Sequence, residues 1–140
     1  MADWKQVRKI ALGLPGTAEK ISWGTNAWCV ADKMFVWERP LRPGDLAALG
    51  TKAPKGPILG ARVEHLLAKE AKLAARPGVC FTTPHFNGYP AVLVRLDKIR
   101  VAELERLIVE AWLARAPKKL VREYLGEPAT GRGRSSSSRR

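Results

Sequence analysis

The stretch Val79–Leu96, VCFTTPHFNGYPAVLVRL, contains the two segments that most clearly predict β-strands, and it decides the fold. In residues 91–96, Val92 and Val94 share one side of an extended chain, with the alternation of period two that a pleated strand requires. Residues 79–83 form a second run typical of a strand. We therefore predict two neighbouring strands joined by residues 82–90.

The connecting sequence TTPHFNGYP, residues 82–90, contains His85, one of only two histidines in the chain. As a hairpin connector, Pro84 would end strand pairing and Asn87-Gly88 would supply residues with positive φ. As a catalytic site, His85 would need a nucleophile such as Cys80 and a third group that orients the imidazole ring. No third group is evident, so the pattern favours a connector and leaves a ligand contact for His85 open.

Elements predicted on both sides of this stretch complete an α+β fold. The order α-β-β-(short α)-β-α-β-β-α-α predicts a mostly antiparallel sheet of about five strands with helices packed on it. Residues 17–26 are polar and turn-rich and are predicted to be a connection. The other predicted elements are a helix capped by Asp3 and ending at Leu14, strands over 27–30 and 33–39 with a turn at Ala31-Asp32, a helical turn over 45–49, a strand over 58–63, and helices over 64–75, 101–116 and 118–125.

Composition predicts one domain over residues 1–127 and a disordered Gly/Ser/Arg tail over 128–140. An apolar fraction of 46% fits a packed globule, and no apolar run is long enough for a membrane span. The N-terminus lacks the apolar core of a signal peptide, so we expect a cytoplasmic protein. Cys29 and Cys80 lie in apolar runs and are expected to be reduced core residues. No ligand spacing indicates a metal and no motif indicates a cofactor. A monomer is favoured.

The net charge of +12 favours a polyanionic partner. Four of the 25 Lys and Arg residues lie in residues 131–140, GRGRSSSSRR. Residues 1–130 therefore keep an excess of eight positive charges. Charge alone indicates affinity for nucleic acid without indicating any sequence preference.

Three segments together resemble the MmcQ/YjbR family of small bacterial proteins. They are LGLPGTAEKISWGTNAWCVADKMFVW (12–37), PGVCFTTPHFNGYPAVLVRLD (77–97) and EAWLARAPKKLV (110–121), and they occur in the family's order. The resemblance covers about residues 4–125 and implies a CyaY-like α+β domain and a label of DNA-binding protein. It implies no catalytic residues. The segment 39–62 and the arginine tail depart from shorter members.

The candidate nucleic-acid interface combines basic residues with aromatic ones. Phe35, Trp37 and Arg39 are predicted to share one face of a strand, which would stack bases if it were exposed and would belong to the core if it were buried. The predicted phosphate contacts are Arg39, Lys52, Lys55, Arg95, Lys118, Lys119, Arg122, Arg132 and Arg134.

The sequence also supports a second interpretation, in which a groove binds a small ligand or another protein. Its candidate residues are Trp23, His85, Phe86 and Tyr89, because aromatic residues and a histidine in loops often serve binding. An enzyme is not expected, since no nucleophile, base and metal set converges in the sequence.

Overall fold

The computed structural model describes residues 2–22 and 24–126 and contains one antiparallel sheet. Its strand order is β1-β2-β3-β4-β6-β5, and neighbouring strands are antiparallel throughout. The strands are β1 (Thr17–Ser22), β2 (Thr25–Val30), β3 (Lys33–Glu38), β4 (Ile58–Arg62), β5 (Cys80–Phe81) and β6 (Ala91–Arg95).

Helices cover one face of this sheet and enclose the larger of two apolar clusters. The helices on this face are α1 (Trp4–Leu12), α3 (Leu66–Ala75), α4 (Val101–Arg115) and α5 (Lys118–Leu125), whereas α2 (Pro43–Leu49) contacts the connector over residues 82–90. Leu104, Ile108 and Trp112 of α4 are fully buried against Trp28 and Val94 of the sheet. The apolar stripe predicted from the spacing of residues in the long helix is therefore the side that packs on the sheet.

A smaller apolar cluster lies on the opposite face of the sheet. It contains Trp37, Leu93 and Phe86, and the last of these belongs to the connector over residues 82–90. Because the connector folds back onto this face, the sheet is covered on both sides near β3 and β6. This second layer positions the candidate groove described below.

The predicted α+β class is confirmed, and the sheet has six strands where about five were expected. The additional strand is β1, over residues 17–22, which we expected to be part of a connection. Its residues are partly or fully exposed, so they show no apolar alternation. It forms by pairing with β2, from Thr17 opposite Val30 to Ser22 opposite Thr25. The strand expected over 79–83 is shorter than predicted and spans Cys80–Phe81.

Phe35 and Trp37 do not share a face, so the predicted row of Phe35, Trp37 and Arg39 is wrong. The register of β2 and β3 shifts between Trp28 and Cys29, with Trp28 opposite Val36 and Cys29 opposite Met34. This bulge leaves Phe35 without a partner and breaks the alternation of side chains. Phe35 consequently joins the helix-side cluster, whereas Trp37 joins the opposite one.

The predicted connector between β5 and β6 is confirmed, although its turn differs in detail. Gly88 has a positive φ of 74°, whereas Asn87 has a φ of −59°. Pro84–Phe86 form a 3-10 turn, and Phe86 is buried. The other predicted turn is confirmed as well, since Ala31 and Asp32 both have positive φ at the tip of the β2–β3 hairpin.

Candidate functional site

The predicted phosphate contacts fall into separate regions of the fold. Lys52 and Lys55 are exposed in the loop between α2 and β4. Lys118, Lys119 and Arg122 are exposed on α5. Arg132 and Arg134 lie outside the described residues, as does the tail that we expect to be disordered. Within the described residues, the predicted phosphate contacts thus form two exposed basic groups, one of Lys52 and Lys55 and one of Lys118, Lys119 and Arg122. Arg39 and Arg95 belong to neither group.

Arg39 and Arg95 differ from the exposed cations because the fold covers them. The guanidinium of Arg39 is buried and pairs with Asp45, with 3.0 Å between Nη2 and Oδ2. It also donates to the carbonyl oxygen of Pro40 and lies over the ring of Phe86. Arg95 is half-buried at the end of β6. We therefore leave Arg39 out of the surface set, since its hydrogen-bonding groups already have internal partners.

Asp45 completes this buried pair. Burial alone would raise the pKa of its carboxyl, but the backbone N–H of Arg42 and the guanidinium of Arg39 together lower that pKa below its ordinary value. The N–H of Arg42 donates to Oδ2 over 2.9 Å. Asp45 therefore connects the start of α2 to the end of β3 in its ionised form.

Helix α1 adds exposed cations that were not among the predicted site residues. Lys5 and Lys9 are exposed and four residues apart, so they lie on the same side of the helix. Only the structure shows what lies near each end of this helix. At the start of α1, Trp4 lines a cavity together with Lys55. In the turn that follows α1, a Cβ added to Gly16 would lie 2.9 Å from Leu120 of α5. Helix α1 therefore runs between the two exposed basic groups.

Much of the remaining charge is uncompensated. In the described part of the chain, the ion pairs of Lys and Arg involve Arg8, Lys20, Arg39, Lys72 and Arg76. The exposed cations discussed above are outside this set. Their charges therefore face solvent without a partner carboxylate among residues 2–22 and 24–126.

The predicted groove residues that the structure describes do lie together. A cavity of about 590 Å³ is lined by His85, Phe86 and Tyr89, and Trp37 and Arg42 contribute to its opposite wall. His85 and Tyr89 are exposed, whereas Phe86 contacts His85 edge to face with 4.9 Å between ring centroids. Trp23 lies outside the described residues. Trp37 and Arg42 were missed as groove residues, because their proximity to the connector depends on long-range packing.

Lys69 of α3 holds the connector in place. Its ammonium group is buried and donates to the carbonyl oxygens of Phe86 and Tyr89 over 2.6 and 2.9 Å. Burial lowers the pKa of this lysine. The guanidinium of Arg62 stacks on the ring of Tyr89 at 4.7 Å from its centroid. These contacts give the groove a preformed wall.

Cys80 and His85 lie on different sides of the sheet. Cys80 belongs to the helix-side cluster, and burial raises the pKa of its thiol. His85 lines the groove on the opposite face. A raised pKa lowers the fraction of reactive thiolate, so this pair does not have the arrangement of a cysteine nucleophile and its base.

Two further features bear on the class of site. Within the described residues, no group of three or more His, Cys, Asp or Glu side chains is placed to hold a metal ion. In the same part of the chain, no helix has the length and apolar character needed to cross a membrane.

Comparison with known proteins gives consistent matches. A sequence model of the YjbR family matches residues 12–114. An uncharacterised protein of Mycobacterium bovis and two from strains of Mycobacterium tuberculosis are each 52% identical over 128 residues, which cover 89% of this chain and 97% of each relative. A crystal structure of a Deinococcus radiodurans protein with a DUF419 domain aligns with a TM-score of 0.63 at 19% identity. That alignment covers 99% of this chain and 96% of the other, and at this identity it supports the fold alone.

Proposed function

This chain belongs to the YjbR family, and on that premise we propose that it is a non-catalytic protein that binds nucleic acid through phosphate contacts. DNA is the favoured partner. The family label implied by the sequence resemblance is one support for this function. The excess of positive charge on residues 1–130 is another.

The observation that carries the proposal is the set of exposed cations without ion pairs along α1 and at its two ends. Lys52 and Lys55 lie near one end of α1, Lys5 and Lys9 lie on it, and the basic face of α5 lies near the other end. Helix α1 is about 14 Å long at 1.5 Å per residue. Lysine and arginine side chains spread over such a distance contact several phosphates of one strand and release its counterions.

This interface would carry little sequence information. The aromatic residues that were candidates for base stacking, Phe35 and Trp37, are buried in the two apolar clusters. Contacts to phosphate position a protein on nucleic acid but do not read base edges. The proposed binding is therefore sensitive to salt and tolerant of sequence.

The direct test is a titration of labelled duplex and single-stranded DNA at several salt concentrations. We expect log Kd to change linearly with log salt, with a slope of about 0.9 for each phosphate neutralised on duplex DNA. Absence of binding at low salt, or affinity that does not depend on salt, would contradict the proposal. A variant lacking residues 128–140 then separates the folded part from the tail.

A second candidate function is binding of a small ligand in the groove beside the connector. It is supported by the 590 Å³ cavity, whose walls bring His85 and Tyr89 together with Trp37 and Arg42. Cavities of about this volume commonly hold small ligands. A ligand screen by thermal shift tests this function. A hit should lose its stabilising effect in the His85→Ala/Tyr89→Ala variant, and an unchanged shift would exclude the groove.

A further inference from the structure

A second and larger cavity, of about 990 Å³, lies under the long connection between β3 and β4. Trp4 of α1, Leu46 of α2 and Ile58 of β4 form parts of its wall, and Leu41 adds another apolar side chain. Its volume lies at the upper end of the range of about 300–1,000 Å³ that is common for small-molecule sites. We call it the loop cavity, and His85, Phe86 and Tyr89 do not line it.

The wall of the loop cavity is anchored at both ends. At one end, the carbonyl oxygen of Pro57 accepts a hydrogen bond from the N–H of Leu96 over 3.1 Å. Next to it, Gly56 passes so close to the carboxylate of Asp97 that a Cβ would overlap with it. At the other end, the buried pair of Arg39 and Asp45 connects β3 to α2. A cavity with anchored walls needs little reorganisation to accept a ligand.

The charged groups that line the loop cavity differ in how far they are engaged. The guanidinium of Arg39 is held by Asp45, and the carboxylate of Glu38 accepts from the backbone N–H of Asn26 over 2.8 Å. Lys55 is exposed and has no ion pair within the described chain. Of the two cations among the lining residues, Lys55 is therefore the one left to pair with an anionic group of a ligand.

We propose that the loop cavity binds a small, mainly apolar aromatic molecule that carries one anionic group, such as an aromatic carboxylate or sulfonate. The aromatic part packs against Trp4, Leu41 and Leu46, and the anion pairs with Lys55. Apolar contact supplies most of the binding free energy and the ion pair fixes the orientation, as in other small-molecule sites. This proposal does not depend on nucleic-acid binding or on the groove near His85.

The test uses anilinonaphthalenesulfonate, a fluorescent aromatic sulfonate, as the probe on the full chain. We expect saturable binding with a blue-shifted emission, and affinity about tenfold lower for Lys55→Met because a charge-assisted contact is lost. The matched control is Lys52→Met, which removes an exposed lysine of the same loop that does not line the cavity. This control should keep the affinity of the wild type.

A second pair of variants tests the apolar wall. Leu46→Glu places a carboxylate in the cavity and should weaken probe binding by at least about tenfold. Leu67→Glu makes the same change at an exposed leucine of α3 that does not line the cavity, and it should have no effect. Near-UV circular dichroism and thermal unfolding verify that each variant is folded. Lys55 is exposed, so Lys55→Met remains decisive if Leu46→Glu is unfolded.

Each outcome of these titrations has a defined meaning. Wild-type affinity in Lys55→Met, or in folded Leu46→Glu, overturns the proposal, as does an equal loss in either control. Loss of probe binding in His85→Ala/Tyr89→Ala would place the probe in the other groove and also overturn it. A parallel DNA titration is independent of these results, because the proposed nucleic-acid interface predicts equal losses for Lys52→Met and Lys55→Met.

Discussion

The indole ring of Trp37 lies directly over Gly60. The two residues are paired across β3 and β4, and a Cβ on Gly60 would overlap with the Cε2 and Nε1 atoms of that ring. Trp37 and its neighbours in the smaller apolar cluster support the connector that carries His85. The absence of a side chain at Gly60 thus determines how closely the second layer approaches the sheet.

Replacing Gly60 with alanine should therefore destabilise the protein. We expect Gly60→Ala to lower the free energy of unfolding by about 1–3 kcal/mol, because the indole must move out of a packed cluster. Urea unfolding measures this change. Gly78→Ala is the matched control, since a Cβ at Gly78 meets no atom within 4 Å and its φ is not positive. A loss for Gly60→Ala no larger than that of the control would contradict this account.

Removing the carboxylate of Asp45 should leave the guanidinium of Arg39 buried without its partner. We expect Asp45→Asn to lower the free energy of unfolding by about 3–5 kcal/mol. Asp32→Asn is the matched control, because Asp32 pairs with Lys20 at the surface, where solvent screens the interaction. Equal effects of the two substitutions would show that the buried pair is not a special source of stability.

The same carboxylate should make the stability of the folded protein depend on pH. The pKa of Asp45 in the folded protein is lower than its ordinary value of 3.8. The stabilisation by ionised Asp45 is therefore fully present above about pH 3.8 and is lost as pH falls through the folded pKa. Acid unfolding curves should show this loss in the wild type and a flatter profile in Asp45→Asn. Parallel curves for the two proteins would contradict the prediction.

Replacing Lys69 should loosen the connector over residues 82–90. Lys69→Met leaves the carbonyl oxygens of Phe86 and Tyr89 without their buried donor, at a cost of about 1–3 kcal/mol. Faster hydrogen exchange at the amides of Tyr89 and Ala91 should reveal the loosening. Lys72→Met is the control, since Lys72 pairs with Glu110 at the helix surface. Unchanged exchange in Lys69→Met would show that the ammonium does not hold the connector.

Stability should also rise with pH in the alkaline range because of Lys69. Burial places its folded pKa below the ordinary value of 10.5, so the folded state releases this proton first. The unfolded state then binds more protons, and stability increases between the folded pKa and 10.5. Urea unfolding at several alkaline pH values should show this rise in the wild type, and Lys69→Met should lack it. The same rise in Lys69→Met would assign it to another group.

For nucleic-acid binding, the sharpest test compares the exposed cations of α5 with exposed cations elsewhere on the surface. Replacing Lys118, Lys119 and Arg122 with glutamine should reduce the salt slope on duplex DNA by about 0.9 for each phosphate contact that is lost. The control replaces Arg100 and Arg106, two exposed cations that line a shallow pocket with Arg76 of α3 and lie outside the proposed interface, and the two losses are compared per charge removed. Equal losses would mean that binding follows net charge, without an interface on α5.

The sequence predicted those elements whose apolar residues recur at the period of a strand or a helix. Val92 and Val94 in β6 and the stripe of Leu104, Ile108 and Trp112 in α4 are buried as their spacing indicated. The sequence did not predict β1, because an exposed edge strand is held by backbone hydrogen bonds to β2 and needs no apolar pattern. For the candidate sites, it identified the aromatic connector but missed Trp37 and Arg42 across the groove.

The sequence alone therefore determined the α+β class, the β5–β6 connector and the excess of positive charge, which follow from local periodicity and composition, and the family, which three segments indicated by resemblance. The tertiary structure alone decided which cations are available. Arg39 forms an ion pair with Asp45, and Lys69 donates hydrogen bonds to two carbonyl groups of the connector. Lys55, in contrast, stays exposed at the edge of a cavity. The physical reason is that the residue type sets the charge of a side chain, whereas its burial and its partners depend on segments that come together only on folding.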